Sequence, residues 1–180
     1  WEALWDAERA EVVRRIVDNG WGWDQGANKI TGPGGFEVDL NACPVGWDPY
    51  GGLEGGVITL GQVLDQSGPS TEDGVSQGLY YDYVNRHGGI SDSTGTTYTI
   101  VNDIRDDDAH VGQTQPIVDQ LLAAGTFTIQ TAGSATTAHV YDKIHASCVP
   151  DPVVLSGLPA WNDPENNPWV WGQQLAHNTE

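Results

Sequence analysis

From Val57 onward the chain alternates short apolar runs with amphipathic ones, and this rhythm constrains the fold more than any other feature. The stretches "VITLGQVL" (57–64), "TYTIVNDI" (97–104), "TFTIQTAG" (126–133) and "VVLSG" (153–157) have the length, β-branching and glycine-bounded ends of strands. Between them, residues 73–87, "TQPIVDQLLAAG" (114–125) and "TTAHVYDKIH" (136–145) read as helices. In the first of these, Val75, Leu79, Tyr83 and Val84 are expected to face inward, with Gly88 and Gly89 as the cap. Pro116 is tolerated if it sits in the first turn of the second. Strands separated by helices of this length are joined by crossovers, so the fold class is α/β, a parallel sheet with helices on both faces.

The preceding residues have a different character. A helix is expected over 3–19, with Trp5, Val12, Val13, Ile16 and Val17 near one face and Asn19-Gly20 as the stop. Residues 21–56 are rich in Gly, Pro, Asp and aromatics, and only "KIT" and "FEVDL" look like short strands, paired as a hairpin across "GPGG". Trp21, Trp23, Trp47 and Tyr50 are too many aromatics for a disordered spacer. The division expected is therefore an irregular Trp/Gly-rich extension with one helix, residues 1–56, and an α/β lobe, residues 57–180.

The charge excludes some functions. Seven Lys and Arg stand against 25 Asp and Glu, a net charge of −18, which opposes binding to nucleic acid or to an anionic membrane surface. The charge is dispersed, as solubility alone would require. No run approaches the roughly 18 apolar residues of a membrane span. The chain opens on Trp1, has no Met and carries no charged-then-apolar leader, so it reads as a processed or excised piece. Its two cysteines, Cys43 and Cys148, form no CxxC pair. They would make one long-range disulfide in an exported chain, or two buried thiols otherwise.

In a parallel sheet, ligands sit beyond the carboxyl ends of the strands. The segments leaving those ends are "DQSGP", "RDDDAH", "AGSATT" and "SGLPAW". Glycine lets the backbone approach a ligand, hydroxyls donate and accept, and helix starts add free N–H groups. Arg105 is the one Lys or Arg in these loops, so a small zwitterion or carboxylate fits better than a nucleotide.

Individual motifs carry less. "GSATT" lacks the Lys-Ser/Thr ending of a phosphate loop and is either a plain helix cap or a hydroxyl-lined anion cradle. "RDDDAH" lacks the spacing and closing Glu of a calcium loop and reads as a solvated turn with Asp near a helix start. The five His are scattered, no G-x-S-x-G elbow exists, and nothing points to an enzyme, a cofactor or a metal. Trp161 either faces the crevice or packs inside, while Trp169 and Trp171 are expected in the core.

In order, "ITLGQVLDQSGP", "GLYYDYVNRHGGI", "DIRDDD", "PIVDQLLAAGTFTIQTAGSATT" and "VYDKIHASCVPDPVVLSGLPAWNDPENNPWVWGQQLAHNTE" resemble the solute-binding proteins of branched-chain amino-acid ABC transporters. The resemblance spans Val57 to Glu180, and the segment before it looks like an extension carried by some actinobacterial members of that group. It implies the first lobe of a type I periplasmic binding protein, extracytoplasmic, lipoprotein-anchored or secreted. Such a protein holds an amino-acid-like ligand between two closing lobes and delivers it to an ABC transporter permease. By motif position, Ser134, Ala135 and Thr136 in "GSATT", and Gly157, Leu158 and Ala160 in "SGLPAW", would hold the ligand's carboxylate and amino groups, with Ser67 lining the same cleft. A Cys43–Cys148 bond would tie the extension to the lobe.

Two departures bear on ligand choice. Pro159 has no N–H in a loop that should donate them, and Glu72 and Asp73 stand where an aromatic often covers the ligand. An acidic rim would suit a ligand with a positive end. The family's members are about twice this length, and the chain stops near the expected crossover to the second lobe, so an amino-terminal fragment or half of a nicked protein is expected. Two other functions fit the same residues: a sensor or assembly subunit that kept the receptor fold, and a secreted cation-binding module using the Asp-rich turn.

Overall fold

The computed structural model describes residues 1–68, 71–92 and 94–175. Pro69 of the Ser-Gly-Pro turn and the last five residues of the family resemblance lie outside the described residues. Contacts along the chain divide it into two compact units, Trp1–Cys43 and Pro44–Glu180.

The first unit opens with helix α1 (Glu2–Asn19), closed by Gly20 in the left-handed conformation at φ 63°, which frees its N–H to bond the Ile16 and Val17 carbonyls. Arg9, Arg14 and Arg15 pair with acids three or four residues away on the helix surface. The apolar face expected here exists, but no residue of α1 is buried. A three-stranded antiparallel meander follows: β1 (Gly22–Asp24), β2 (Lys29–Thr31) and β3 (Glu37–Asp39). The hairpin across "GPGG" is β2–β3, in register Ile30–Val38, with a Lys29–Glu37 ion pair of 2.6 Å. Strand β1 was not legible from its three residues; the Asp24 carboxylate builds its turn by accepting the N–H groups of Gly26 and Ala27.

The second unit is the α/β lobe. Its strands are β4 (Val57–Leu64), β5 (Ile90–Ser91), β6 (Thr97–Asp106), β7 (Thr128–Thr131), β8 (Asp151–Val154) and β9 (Val170–Gly172). Its helices are α2 (Thr71–Arg86), α3 (Val111–Ala124) and α4 (Ser134–Ala146). Strands β6, β4 and β7 pair in parallel. The Ile129 N–H to Pro150 carbonyl bond of 2.9 Å, the Leu155 N–H to Thr131 carbonyl bond of 3.1 Å and a parallel Ala132–Leu155 bridge carry the sheet on to β8, which pairs with β9. The parallel order is thus β6-β4-β7-β8-β9, with β5 an antiparallel stub on β6.

Helices cover both faces. Gly61 lies against Leu121 of α3, and Val63 joins Val118, Leu121, Ile129, Val140, Ile144, Val154, Trp161 and Val170 in one apolar core. On the other face, Gly74 of α2 rests on Leu64 and Ile104. Beside it a polar belt crosses the sheet: the Gln62 amide donates to Gln77 Oε1 and Gln130 Oε1 and accepts from Asn102 Nδ2, at 2.9 to 3.0 Å. This belt corrects the expected orientation of α2. The sheet offers amides where Val75, Leu79 and Tyr83 were to pack, so the helix turns Gly74 and Gln77 inward and leaves those three exposed; Val84 alone of the four is half-buried.

Residues after Cys43 pack with the α/β lobe. The Trp47 indole donates to the Cys148 carbonyl at 3.0 Å and meets Trp169 edge to face at 5.9 Å. Gly52 accepts the Thr59 N–H, and its φ of +79° brings it so close to Phe127 that a Cβ would sit 2.2 Å from the Phe127 nitrogen. Both cysteines are disulfide-bonded, and as the chain has two, the bond is Cys43–Cys148.

Candidate functional site

The strand order reverses beside β4: the chain leaves it for β6 on one side, and β7 lies on the other. Connections diverge at such a point and open a crevice at the carboxyl ends of the strands. The segments after β4 (65–68) and after β7 (132–134) flank that crevice, and the β8 segment (155–158) lies next along the same edge.

Gly133 makes the turn from β7 into α4. Its φ of 84° with ψ of 139° is a conformation for glycine alone, and a Cβ there would meet Thr136 Oγ1 at 2.9 Å. Its N–H donates to the Leu155 carbonyl at 3.2 Å, stitching the β7 and β8 segments together. The Thr137 N–H is the first to bond back, to the Gly133 carbonyl at 3.1 Å. The amides of Ser134, Ala135 and Thr136 therefore lead the helix without acceptors inside it, at the positive end of its dipole. The Ser134 and Ser156 hydroxyls lie 2.8 Å apart, and Ser156 is buried. Two hydroxyls that satisfy each other can re-aim a proton toward an incoming oxygen. Neither is held by a base, so the pair suits binding rather than nucleophilic attack.

The other expected residues fall as follows. Ala135 is exposed on the first turn of α4. The Thr136 hydroxyl is buried and donates back to the carbonyls of Ala132 and Gly133, so its proton is committed to the turn. Gly157 is buried directly after Ser156, and Leu158 packs half-buried against the core. Ala160 is exposed in the 3-10 turn Pro159–Asn162, where its carbonyl accepts from Asn167. Pro159 opens that turn, a position where its missing N–H costs nothing. Ser67 is exposed at the crevice, with its hydroxyl on Asp65 and Asp108 at 3.2 Å each. Trp161 does not face the crevice: the turn folds it back into the core at 2% exposure, edge to face with Tyr141 at 5.4 Å. Trp169 is buried as expected and Trp171 partly so.

The Asp-rich turn is built for structure. Buried Asp107 accepts from the Thr114 hydroxyl at 2.7 Å and the Ala109 N–H, while Asp106 accepts the N–H groups of Gln66 and Asp108. Among the described residues no cluster of three or more His, Cys, Asp or Glu could hold a metal ion. Every Lys and Arg is ion-paired to a carboxylate. An acidic ligand at this edge would thus meet amides and hydroxyls rather than a cation.

Sequence reasoning missed two features. Ser156 stood in the quoted loop "SGLPAW" and was passed over for its neighbours; its pairing with Ser134 spans 22 positions and needed the sheet order to be seen. Behind the site, the Thr137 hydroxyl donates to Thr131 Oγ1 at 2.9 Å, and Thr131 donates to Asp151 at 2.6 Å. Burial pushes the Asp151 carboxyl up to about 7, against the opposing pull of its hydrogen bonds to the Thr131 side chain and to the backbone of Thr131 and Val153.

No family model and no curated protein matches the chain. Solved structures do match it. A substrate-binding periplasmic protein from Ralstonia solanacearum aligns with a TM-score of 0.57 at 21% identity, over 68% of this chain and 35% of that one. A fatty acid ABC transporter substrate-binding protein from Thermomonospora curvata aligns at 0.55 and 24% identity, over 65% of this chain and 30% of that one. A branched chain amino acid ABC transporter from Thermus thermophilus with bound valine aligns at 0.55 and 17% identity, over 67% and 31%. The chain spans about a third of the length of these proteins. The likeness shows the fold alone: the α/β unit is folded like one lobe of a type I periplasmic binding protein.

Proposed function

We propose that this chain is part of an extracytoplasmic solute-binding protein of an ABC transporter, one that captures an amino acid of branched-chain type or a related small polar solute and hands it to a membrane permease. No chemistry is done on the ligand. The observation that carries this reading is the Ser134–Ser156 hydroxyl pair, set among the leading amides of α4 at the switch point of the sheet. Those groups complement a carboxylate, and the acids around Ser67 on the other side of the crevice complement an ammonium. A disulfide suits an oxidising compartment. The proposal includes a second lobe of the same protein closing over this edge, since burial by closure supplies most of such a ligand's contact.

The test is isothermal titration with a panel of amino acids and small carboxylates, on this chain and on a two-lobed form. Heat from one ligand, stronger in the two-lobed form, is expected. Silence from both forms favours a sensor or assembly subunit instead, a reading supported by the committed Thr136 proton and by Pro159.

A further inference from the structure

The edge of the sheet at β6 is unfinished. Its neighbour β5 pairs only with Thr97 and Tyr98. The Thr99 N–H bonds the Gly56 carbonyl on the β4 side, so the odd-numbered residues of β6 point inward and the even-numbered ones outward. Outward-facing Ile100 has both backbone groups taken by the Asn85 side chain, which donates to its carbonyl at 2.8 Å and accepts its N–H at 2.7 Å. Asn102, Ile104 and Asp106 follow with their outward N–H and C=O groups facing no strand among the described residues. Alongside runs a groove of about 330 Å³, lined by Val75, Leu79, Tyr81, Ile100, Asn102 and Ile104. Val75, Leu79 and Tyr80 beside it are 59%, 62% and 63% exposed.

We infer that a second copy of this chain completes this edge, its β6 pairing antiparallel with β6 about a twofold axis at Ile104. The register follows from groups already described. Centred on Ile104, the pairing sets Ile104 against its own copy and Asn102 against Asp106, all three with hydrogen-bonding groups turned outward. Centred two residues earlier, it would need the Ile100 groups that Asn85 occupies. The Ile104 register also places Asp103 opposite Arg105 of the second copy, twice, on the other face of the sheet. Within one chain these two already pair at 2.7 Å, so across the axis the four charges alternate in sign. This complementarity selects a like chain over an arbitrary strand, and overcomes locally the repulsion of two molecules of charge −18. The exposed Val75 and Leu79 of each α2 then flank the axis, and the grooves close on each other.

Sedimentation of the full chain from micromolar to sub-millimolar concentration tests this, with the variants Asp103→Arg and Arg105→Asp. Wild type is expected to dimerise with rising concentration. Each variant alone sets like charges across the axis and is expected to remain monomeric, at least tenfold weaker in association. An equimolar mixture of the two variants restores opposite charges between chains, and is expected to associate, which no pairing within one chain can produce. A monomeric wild type would leave this edge to another occupant or to none, and overturns the inference, as does a mixture no more associated than its components. Amide exchange in the wild type guards against misfolded variants: the Asn102, Ile104 and Asp106 amides should become protected as concentration rises. Protection independent of concentration overturns the dimer equally.

Discussion

The Ser134 hydroxyl at the start of α4 lies 2.8 Å from the buried Ser156 hydroxyl beyond β8, so two loops far apart in sequence share one hydrogen bond at the sheet's carboxyl edge. This pair is where the proposed ligand contact is most exposed to test. Replacing Ser134 with Ala removes one hydroxyl of the pair and leaves Ser156 without its partner. For a ligand carboxylate, the loss of one hydrogen bond to a charged group is worth about 1.5–3 kcal/mol. Titration of Ser134→Ala with the ligand that the wild type selects should show affinity lower by about ten- to a hundredfold. An unchanged affinity would remove Ser134 from the site.

Asp151 predicts a pH dependence of stability. Its carboxyl titrates near 7 when folded, against 3.8 for the ordinary group. A carboxyl raised on folding stabilises fully below its unfolded value and loses that contribution as pH rises through its folded value. Wild-type stability should therefore fall between pH 4 and 7, by an amount on the order of 4 kcal/mol from this group if nothing relaxes. Asp151→Asn keeps an uncharged side chain at all pH values. Its melting temperature relative to wild type should rise across that window, as followed by circular dichroism.

The Cys43–Cys148 bond closes a loop of about a hundred residues, which in the chain-entropy account is worth about 4–5 kcal/mol. Reduction under native conditions should add the mass of two hydrogens and lower the melting temperature by many degrees. An intact mass that does not change on reduction would contradict the bond.

Glycines that share the left-handed region should still differ sharply in cost. Gly52, at φ +79°, has the Phe127 backbone 2.2 Å from where a Cβ would stand. Gly55, at φ +61°, has nothing within 4 Å. Gly55→Ala should cost about 1 kcal/mol, the strain of a left-handed backbone. Gly52→Ala carries that strain plus displacement of the segment that docks on Phe127, and should unfold at lower denaturant by a clearly larger margin. Equal midpoints for the two variants would show that the segment yields freely.

The alternation of strand and helix after Val57 was written in local pattern, because side-chain period and glycine stops depend on near neighbours alone. That sufficed for the parallel sheet, the covering of both its faces and the loops at its carboxyl edge. Hydrophobicity also named Trp5, Val75, Leu79 and Tyr83, but not what they would meet. The inward face of α2 was decided by Gln62, Asn102 and Gln130, which come together only when three strands are laid side by side. Trp161 went inward because a turn beginning at Pro159 aimed it at Tyr141, a contact twenty residues distant in sequence. The pairing of Ser134 with Ser156 and the burial of Asp151 were decided the same way. Sequence fixes what each residue can do over a few neighbours; the order of strands, a global choice, decides which of them face one another.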